Sequence, residues 1–211
     1  MAVWTVVVGC IIWTTAVTVN AQGHEHTSFS KQVKPQSLSF GTLAGQEYLQ
    51  FSFYLHDNLD TRPGASAVTV VPPVQSMDGI PNLHGFGAIA VFDDAMTEGP
   101  DPSSQSIGRG RGFYVFNAMV DNGASLEFVW TAVFNDASGF GGSTISFKGY
   151  DKIDDEEREI AITGGTGKFR LARGWATIRT SAANGGAAKL YLTCSVYYGA
   201  DLTYSGHTMI N

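Results

Sequence analysis

From Glu47 to Tyr198 the chain alternates apolar and polar residues with a period of two, and no stretch sustains a helical period beyond a turn or two. Successive side chains of a strand point to opposite faces, so such a chain must build a sheet and bury one face of it. In YLQFSFYLHD, Leu49, Phe51, Phe53 and Leu55 share a face with Asp57, while Tyr48, Gln50, Ser52, Tyr54 and His56 take the other. Further strand candidates are residues 66–71, 87–92, 106–116, 125–135, 143–149, 158–162, 169–179 and 189–198. Turn signals such as Arg62-Pro63-Gly64, Asp121-Asn122-Gly123 and Asn184-Gly185-Gly186 separate most of them. A meander of about nine strands in a single all-β domain is expected to close into an antiparallel barrel, because closure removes the edges a flat sheet exposes. The strand at 126–134 is apolar on both faces, so a partner subunit is expected to cover part of the outside.

Charged residues interrupt this inner face. Ile145, Phe147 and Gly149 share their parity with Asp151, and Ile160 and Ile162 share theirs with Arg158. Asp57, Asp151 and Arg158 are therefore expected to point inward. A buried charge costs several kcal/mol unless it is paired. One reading is a structural ion pair of Arg158 with an aspartate, or strand-end residues that reach solvent. The other is a polar cluster at an apolar pocket, able to move protons or polarise a carbonyl-like oxygen. Lys152, Asp154, Asp155, Glu156 and Glu157, between the last two of these residues, are expected to be solvated.

Other motifs carry less chemistry. Gly164-Gly165-Thr166-Gly167 lacks the lysine and helix of a phosphate-binding loop and is expected to be a tight turn with positive φ. Gly108-Arg109-Gly110-Arg111-Gly112 leads directly into FYVF, so it is expected to be a strand whose glycines allow close packing. Asp93 and Asp94 after Phe92 are expected to be a solvated loop pair, and His24 and His26 solvated tail residues. No spacing among Ser195, Cys194 and the histidines forms a nucleophile relay. No metal or other cofactor is expected.

Residues 1–21 contain no charged side chain and end Val19-Asn20-Ala21, a small-x-small pattern. They are expected to be a secretory signal peptide, the alternative being an uncleaved anchor. The remainder, about 190 residues, carries the whole formal charge of −6, which disfavours nucleic acid and anionic membranes as partners. Residues 22–45 are expected to be an extended or flexible arm, 46–200 the barrel domain and 201–211 a tail. Loss of Cys10 with the signal leaves Cys194 as a buried strand thiol without an internal partner. There is no Asn-x-Ser/Thr sequon.

The segments FYLHD, FGAIAVFDDAMTEGPDPSSQSIGRGRGFYVF, SLEFVWTAVFNDASGFGGSTISFKGYD and REIAITGGTGKFRLARGWA, in this order, closely resemble the plant dirigent proteins. The resemblance implies an eight-stranded antiparallel β-barrel like that of allene oxide cyclase, assembled as a homotrimer, secreted and active in the apoplast. It further implies stereochemical control over phenoxy radicals or quinone methides of phenylpropanoids. In pinoresinol-forming members an oxidase, laccase or peroxidase, makes coniferyl alcohol radicals, and the dirigent protein lets them couple on one face in lignan biosynthesis. Other members cyclise or dehydrate through quinone methides, as in pterocarpan formation.

Carried over residue by residue, the resemblance implies catalytic or binding roles for Asp57 of the HD motif, for Asp151 and for Arg158. Tyr114, Phe116 and Phe53 are the implied aromatic wall for a phenolic substrate; Phe116 stands where pinoresinol formers carry a tyrosine. The cysteine that often pairs with one in the last strand is missing here, as are the family's glycosylation sites. Three readings remain open: a guide for radical coupling, a cyclase or lyase working without an oxidant, and a cell-wall scaffold.

Overall fold

The computed structural model describes residues 34–36, 46–60, 63–75, 85–119 and 124–199. The expected signal peptide, the tail at 201–211 and the two tail histidines lie outside them. Ten strands form one antiparallel sheet: β1 (Lys34–Gln36), β2 (Gln46–Asn58), β3 (Ala67–Val71), β4 (Ile89–Thr97), β5 (Ser106–Phe116), β6 (Ser125–Phe134), β7 (Thr144–Lys152), β8 (Arg158–Thr166), β9 (Arg173–Asn184) and β10 (Ala187–Gly199). Their order is β1-β2-β10-β9-β8-β7-β6-β5-β4-β3, and a further pairing of β2 with β4 closes an eight-stranded barrel. The closing ladder is short, with Tyr54 opposite Thr97, Leu55 opposite Met96 and His56 opposite Ala95. β1 lies along the start of β2, and β3 along the start of β4, on either side of that seam.

The period-two pattern dictates the core. Leu49, Phe51, Phe53 and Leu55 are all buried, as are Phe128, Trp130, Ala132 and Phe134 on β6. Midway along the barrel Trp130 stacks on Phe147 at 4.2 Å between ring centroids. On β5 Gly110 lies against this ring and Leu55, and Gly112 against the backbone that carries Trp130, so that a side chain at either would collide. At one end Phe51, Phe134 and Phe140 close around Phe169, which the 3-10 turn Gly167–Phe169 drops into the barrel. That end is filled. Cys194 lies in the core, unpaired, and burial raises the pKa of its thiol.

Several boundaries differ from those expected. Lys34–Gln36, in the expected arm, adds a tenth strand to the nine anticipated. Residues 164–166 belong to β8, and within that glycine run the positive φ falls at Gly167 alone. Phe169 belongs to the plug, and β9 begins four residues later. Most consequentially, β4 runs through Asp93 and Asp94 to Thr97, so those acids are strand residues rather than a loop pair. Phe92, Asp94 and Met96 alternate inward while Val91 and Asp93 face out, the same period that builds every other wall.

A methyl group at Gly112 would lie 2.6 Å from the Trp130 Cα, inside van der Waals contact with the neighbouring backbone. Gly112→Ala is expected to lower the stability by about 1–3 kcal/mol through overpacking. Urea unfolding followed by tryptophan fluorescence checks this; an unchanged midpoint contradicts it.

Candidate functional site

Opposite the phenylalanine plug the barrel opens into a cavity of about 350 Å³. Its wall includes Asp57, Asp94, Tyr114, Phe116, Leu126, Phe128, Asp151, Ile153, Arg158 and Leu190, a mainly apolar surface with a few converging polar groups. Such a composition suits a small aromatic ligand bearing oxygens. Phe53 lies deeper, fully buried and edge-on to Trp130, and is not part of this wall. Parity placed Phe53 on the correct face but could not place its depth. Among the described residues no group of three or more histidine, cysteine or acidic side chains is arranged to hold a metal ion.

The strand order sets the polar residues on two facing walls. In the ring of eight, β7 is the fourth strand from β2 and β8 the fourth from β4, so each pair lies across the barrel. Asp57 and Asp94 therefore occupy one wall, and Asp151 and Arg158 the other. On the second wall Arg158 donates from Nε to Asp151 Oδ1 at 2.8 Å, with both side chains nearly inaccessible. Its Nη1 donates to Thr180 Oγ1 at 2.9 Å, while the buried Nη2 has no partner. Removing one member of such a buried pair costs about 3–5 kcal/mol, because the other charge is left uncompensated. The ion pair thus holds the guanidinium in place with one donor unused.

The first wall follows from the closing ladder. The paired ladder ends at His56 and Ala95, and Asp57 and Asp94 follow directly beyond it, near enough for the charge of Asp57 to act on Asp94. There β2 turns from β4 toward the segment before β3: the Asn58 amide donates to Ser66 Oγ at 3.0 Å, and the Asp93 amide to the Ser66 carbonyl at 2.9 Å. Two carboxylates close together repel. Asp94 is 1% exposed, and burial, then the charge of Asp57, pushes its pKa up to about 8. Burial pushes Asp57 up to about 6, against a lowering hydrogen bond from Tyr114, whose hydroxyl donates to Oδ2 at 3.4 Å. Burial and the nearby Asp57 also raise the Tyr114 phenol. Asp57 Oδ1 and Asp94 Oδ1 are both buried without a hydrogen-bond partner.

Asp57, Asp151 and Arg158 thus come together around one cavity, with Tyr114 and Phe116 in its wall, where Tyr114 stacks on Phe92 at 5.9 Å. Asp94 is the residue that sequence reasoning missed. Its signal was the unbroken alternation Phe92, Asp94, Met96, hidden by reading two adjacent acids as a loop.

The site is thus an apolar cavity in a closed antiparallel barrel, with carboxyls whose pKa burial raises on one wall and an anchored guanidinium on the other. A profile described as Dirigent-like protein matches residues 48–198, and the chain belongs to the dirigent family. It is 40% identical to Dirigent protein 1 of Arabidopsis thaliana over 139 residues, 64% of this chain and 70% of that one. It is 38% identical to Pterocarpan synthase 1 of Glycine max over 136 residues, 64% of this chain and 69% of that one. Among solved structures it resembles the pterocarpan synthase dirigent protein PsPTS1, with a TM-score of 0.65 and 30% identity, covering 75% of this chain and all of that one.

The elevated Asp94 pKa has a consequence for stability. An acid whose folded pKa exceeds its ordinary value of 3.8 stabilises the fold fully below that value, and the contribution is lost as pH rises to about 8. Asp94→Asn is neutral throughout. It is expected to match the wild type near pH 4 and to melt more than about 3 °C higher at pH 9. Melting curves across this range check it; a gap that does not vary with pH contradicts it.

Proposed function

We infer that the protein steers phenylpropanoid quinone methides, or the phenoxy radicals that couple to give them, so that a new bond forms on one face. The observation that carries this reading is the set of unpaired buried atoms. Among the described residues four buried side-chain polar atoms lack a partner, and three of them, on Asp57, Asp94 and Arg158, belong to cavity-lining residues. Unsatisfied buried groups are costly, and a ligand that completes their hydrogen bonds recovers that cost. A quinone methide offers a carbonyl oxygen that gains negative charge as its exocyclic carbon is attacked. Arg158 Nη2 or a protonated carboxyl can meet that charge, while Tyr114, Phe116 and Phe128 pack against the ring.

Radical coupling needs an oxidant, which an upstream laccase or peroxidase would supply outside the cell. A second reading, cyclisation or dehydration without an oxidant, is favoured by carboxyls that keep protons near neutral pH. The likeness to pterocarpan synthases supports it as well.

Two assays separate these readings. With coniferyl alcohol and laccase, coupling guidance predicts an enantiomeric excess that rises with added protein, and a racemic lignan at saturating protein excludes it. With racemic 7,2′-dihydroxyisoflavan-4-ol and no oxidant, the cyclisation reading predicts loss of water and turnover to a cyclic ether. Arg158→Ala is expected to abolish whichever activity is present. A variant that folds and remains fully active contradicts the assignment of this cavity.

A further inference from the structure

Asp94 sits where no reading of the sequence placed a functional group, and three independent features of its surroundings converge. It is 1% exposed, it lines the cavity, and its Oδ1 has no hydrogen-bond partner. Ser66, beside it, is tied to β2 by accepting from the Asn58 amide and donating to the His56 carbonyl. Asp57, just beyond the end of the closing ladder, lies near enough for its charge to act on Asp94, and it also carries an unpaired Oδ1. On β5 the opposite residue is Gly110, so no β5 side chain covers the carboxyl from that strand.

We propose that Asp94 is a catalytic general acid acting with Asp57 as its complementary base, on a quinone methide whose ring oxygen is placed at the Asp94 carboxyl. This rests on the quinone-methide cyclisation reading above and names the groups that would perform it. In the step, a hydroxyl oxygen of the substrate attacks the exocyclic methide carbon and forms the new C–O bond. The electron pair displaced from the methide double bond restores the aromatic ring, and the ring oxygen takes the proton of Asp94, becoming a phenol. The proton of the attacking hydroxyl passes to the Asp57 carboxylate. No electron leaves the pair of reactants, so no oxidant is consumed. Transfer of that proton from Asp57 to the nearby Asp94 carboxylate restores the starting state.

The charges around Asp94 support this division of labour. Asp57 on β2 and Asp93 on β4 favour its protonated form, whereas Arg109 on β5 opposes it from outside the barrel, where it is paired with Asp93. Tyr114 on β5 donates to Asp57 and so favours an ionised Asp57. Arg158 on β8 is held by Asp151 on β7, across the cavity, and does not neutralise Asp94. The two carboxyls titrate as a pair, with one proton between them over the interval from about 6 to about 8.

The test uses the full chain with racemic 7,2′-dihydroxyisoflavan-4-ol as substrate, whose 7-hydroxyl proton and C4 hydroxyl leave together as water to give the quinone methide. The corresponding isoflavan, which lacks the leaving hydroxyl, serves as a binding probe. The wild-type kcat is expected to be bell-shaped, falling below about pH 6 and above about pH 8. Asp94→Asn is expected to lower kcat by about 100-fold or more, while the isoflavan Kd changes by less than about threefold. Asp57→Asn is expected to lower kcat and remove the acid limb, and to move the alkaline limb to lower pH, because the charge of Asp57 raises the Asp94 pKa. Should Asp94→Asn fail to fold, the wild-type profile and Asp57→Asn still decide. A wild-type kcat that is flat from pH 6 to 10, or a folded Asp94→Asn with wild-type kcat, overturns the assignment of Asp94 and leaves the cyclisation reading standing. A wild type that binds the isoflavan but never turns over the alcohol overturns both.

Discussion

Two carboxyl groups brought close together just beyond the seam of a barrel are the constraint on which the site depends. The seam is three residue pairs long, and Asp57 and Asp94 follow immediately beyond its last pair. Both line a space shared with Tyr114, Phe116 and Phe128, where a carboxylate is poorly solvated. Desolvation raises the pKa of both, and the charge of Asp57 adds to it at Asp94. The barrel tolerates this because the rest of its interior is densely filled, from the Trp130–Phe147 stack to the Phe169 plug.

The facing wall solves the opposite problem. Asp151 and Arg158 flank an acidic connection whose residues 153–157 are exposed, yet both are buried and joined at 2.8 Å. Their pairing discharges the main electrostatic cost and leaves a single guanidinium nitrogen unused. A ligand between the walls therefore meets a fixed hydrogen-bond donor on one side and a protonatable pair on the other.

Much of this was legible in the sequence, because a strand's period of two reports which face a residue occupies without knowledge of its partners. Asp57, Asp151 and Arg158 were placed inward on that ground, and the resemblance to dirigent proteins pointed to the same residues. Depth is not encoded in parity, so Phe53 was assigned to the substrate wall although it lies beneath it. Asp94 was lost because a pair of adjacent acids resembles a turn, and what makes it a strand residue is its pairing with β2 and β5. Barrel closure brings Asp57 near Asp94 although they are far apart in sequence, which no local pattern reveals. The short β1 was hidden for the same reason, since three residues in a polar, proline-containing stretch become a strand only beside β2.

Burial inside the cavity raises Asp94 to a pKa of about 8, so that it keeps its proton near neutral pH. A carbon-13 NMR titration of the aspartate side-chain carboxyls in the ligand-free protein, from pH 3 to 10, tests this most directly. Two resonances are predicted to titrate far above the rest, with midpoints near 6 and near 8, and the second is predicted to be absent from Asp94→Asn. If every aspartate carboxyl titrates below about pH 5, as exposed carboxylates do, the account is contradicted.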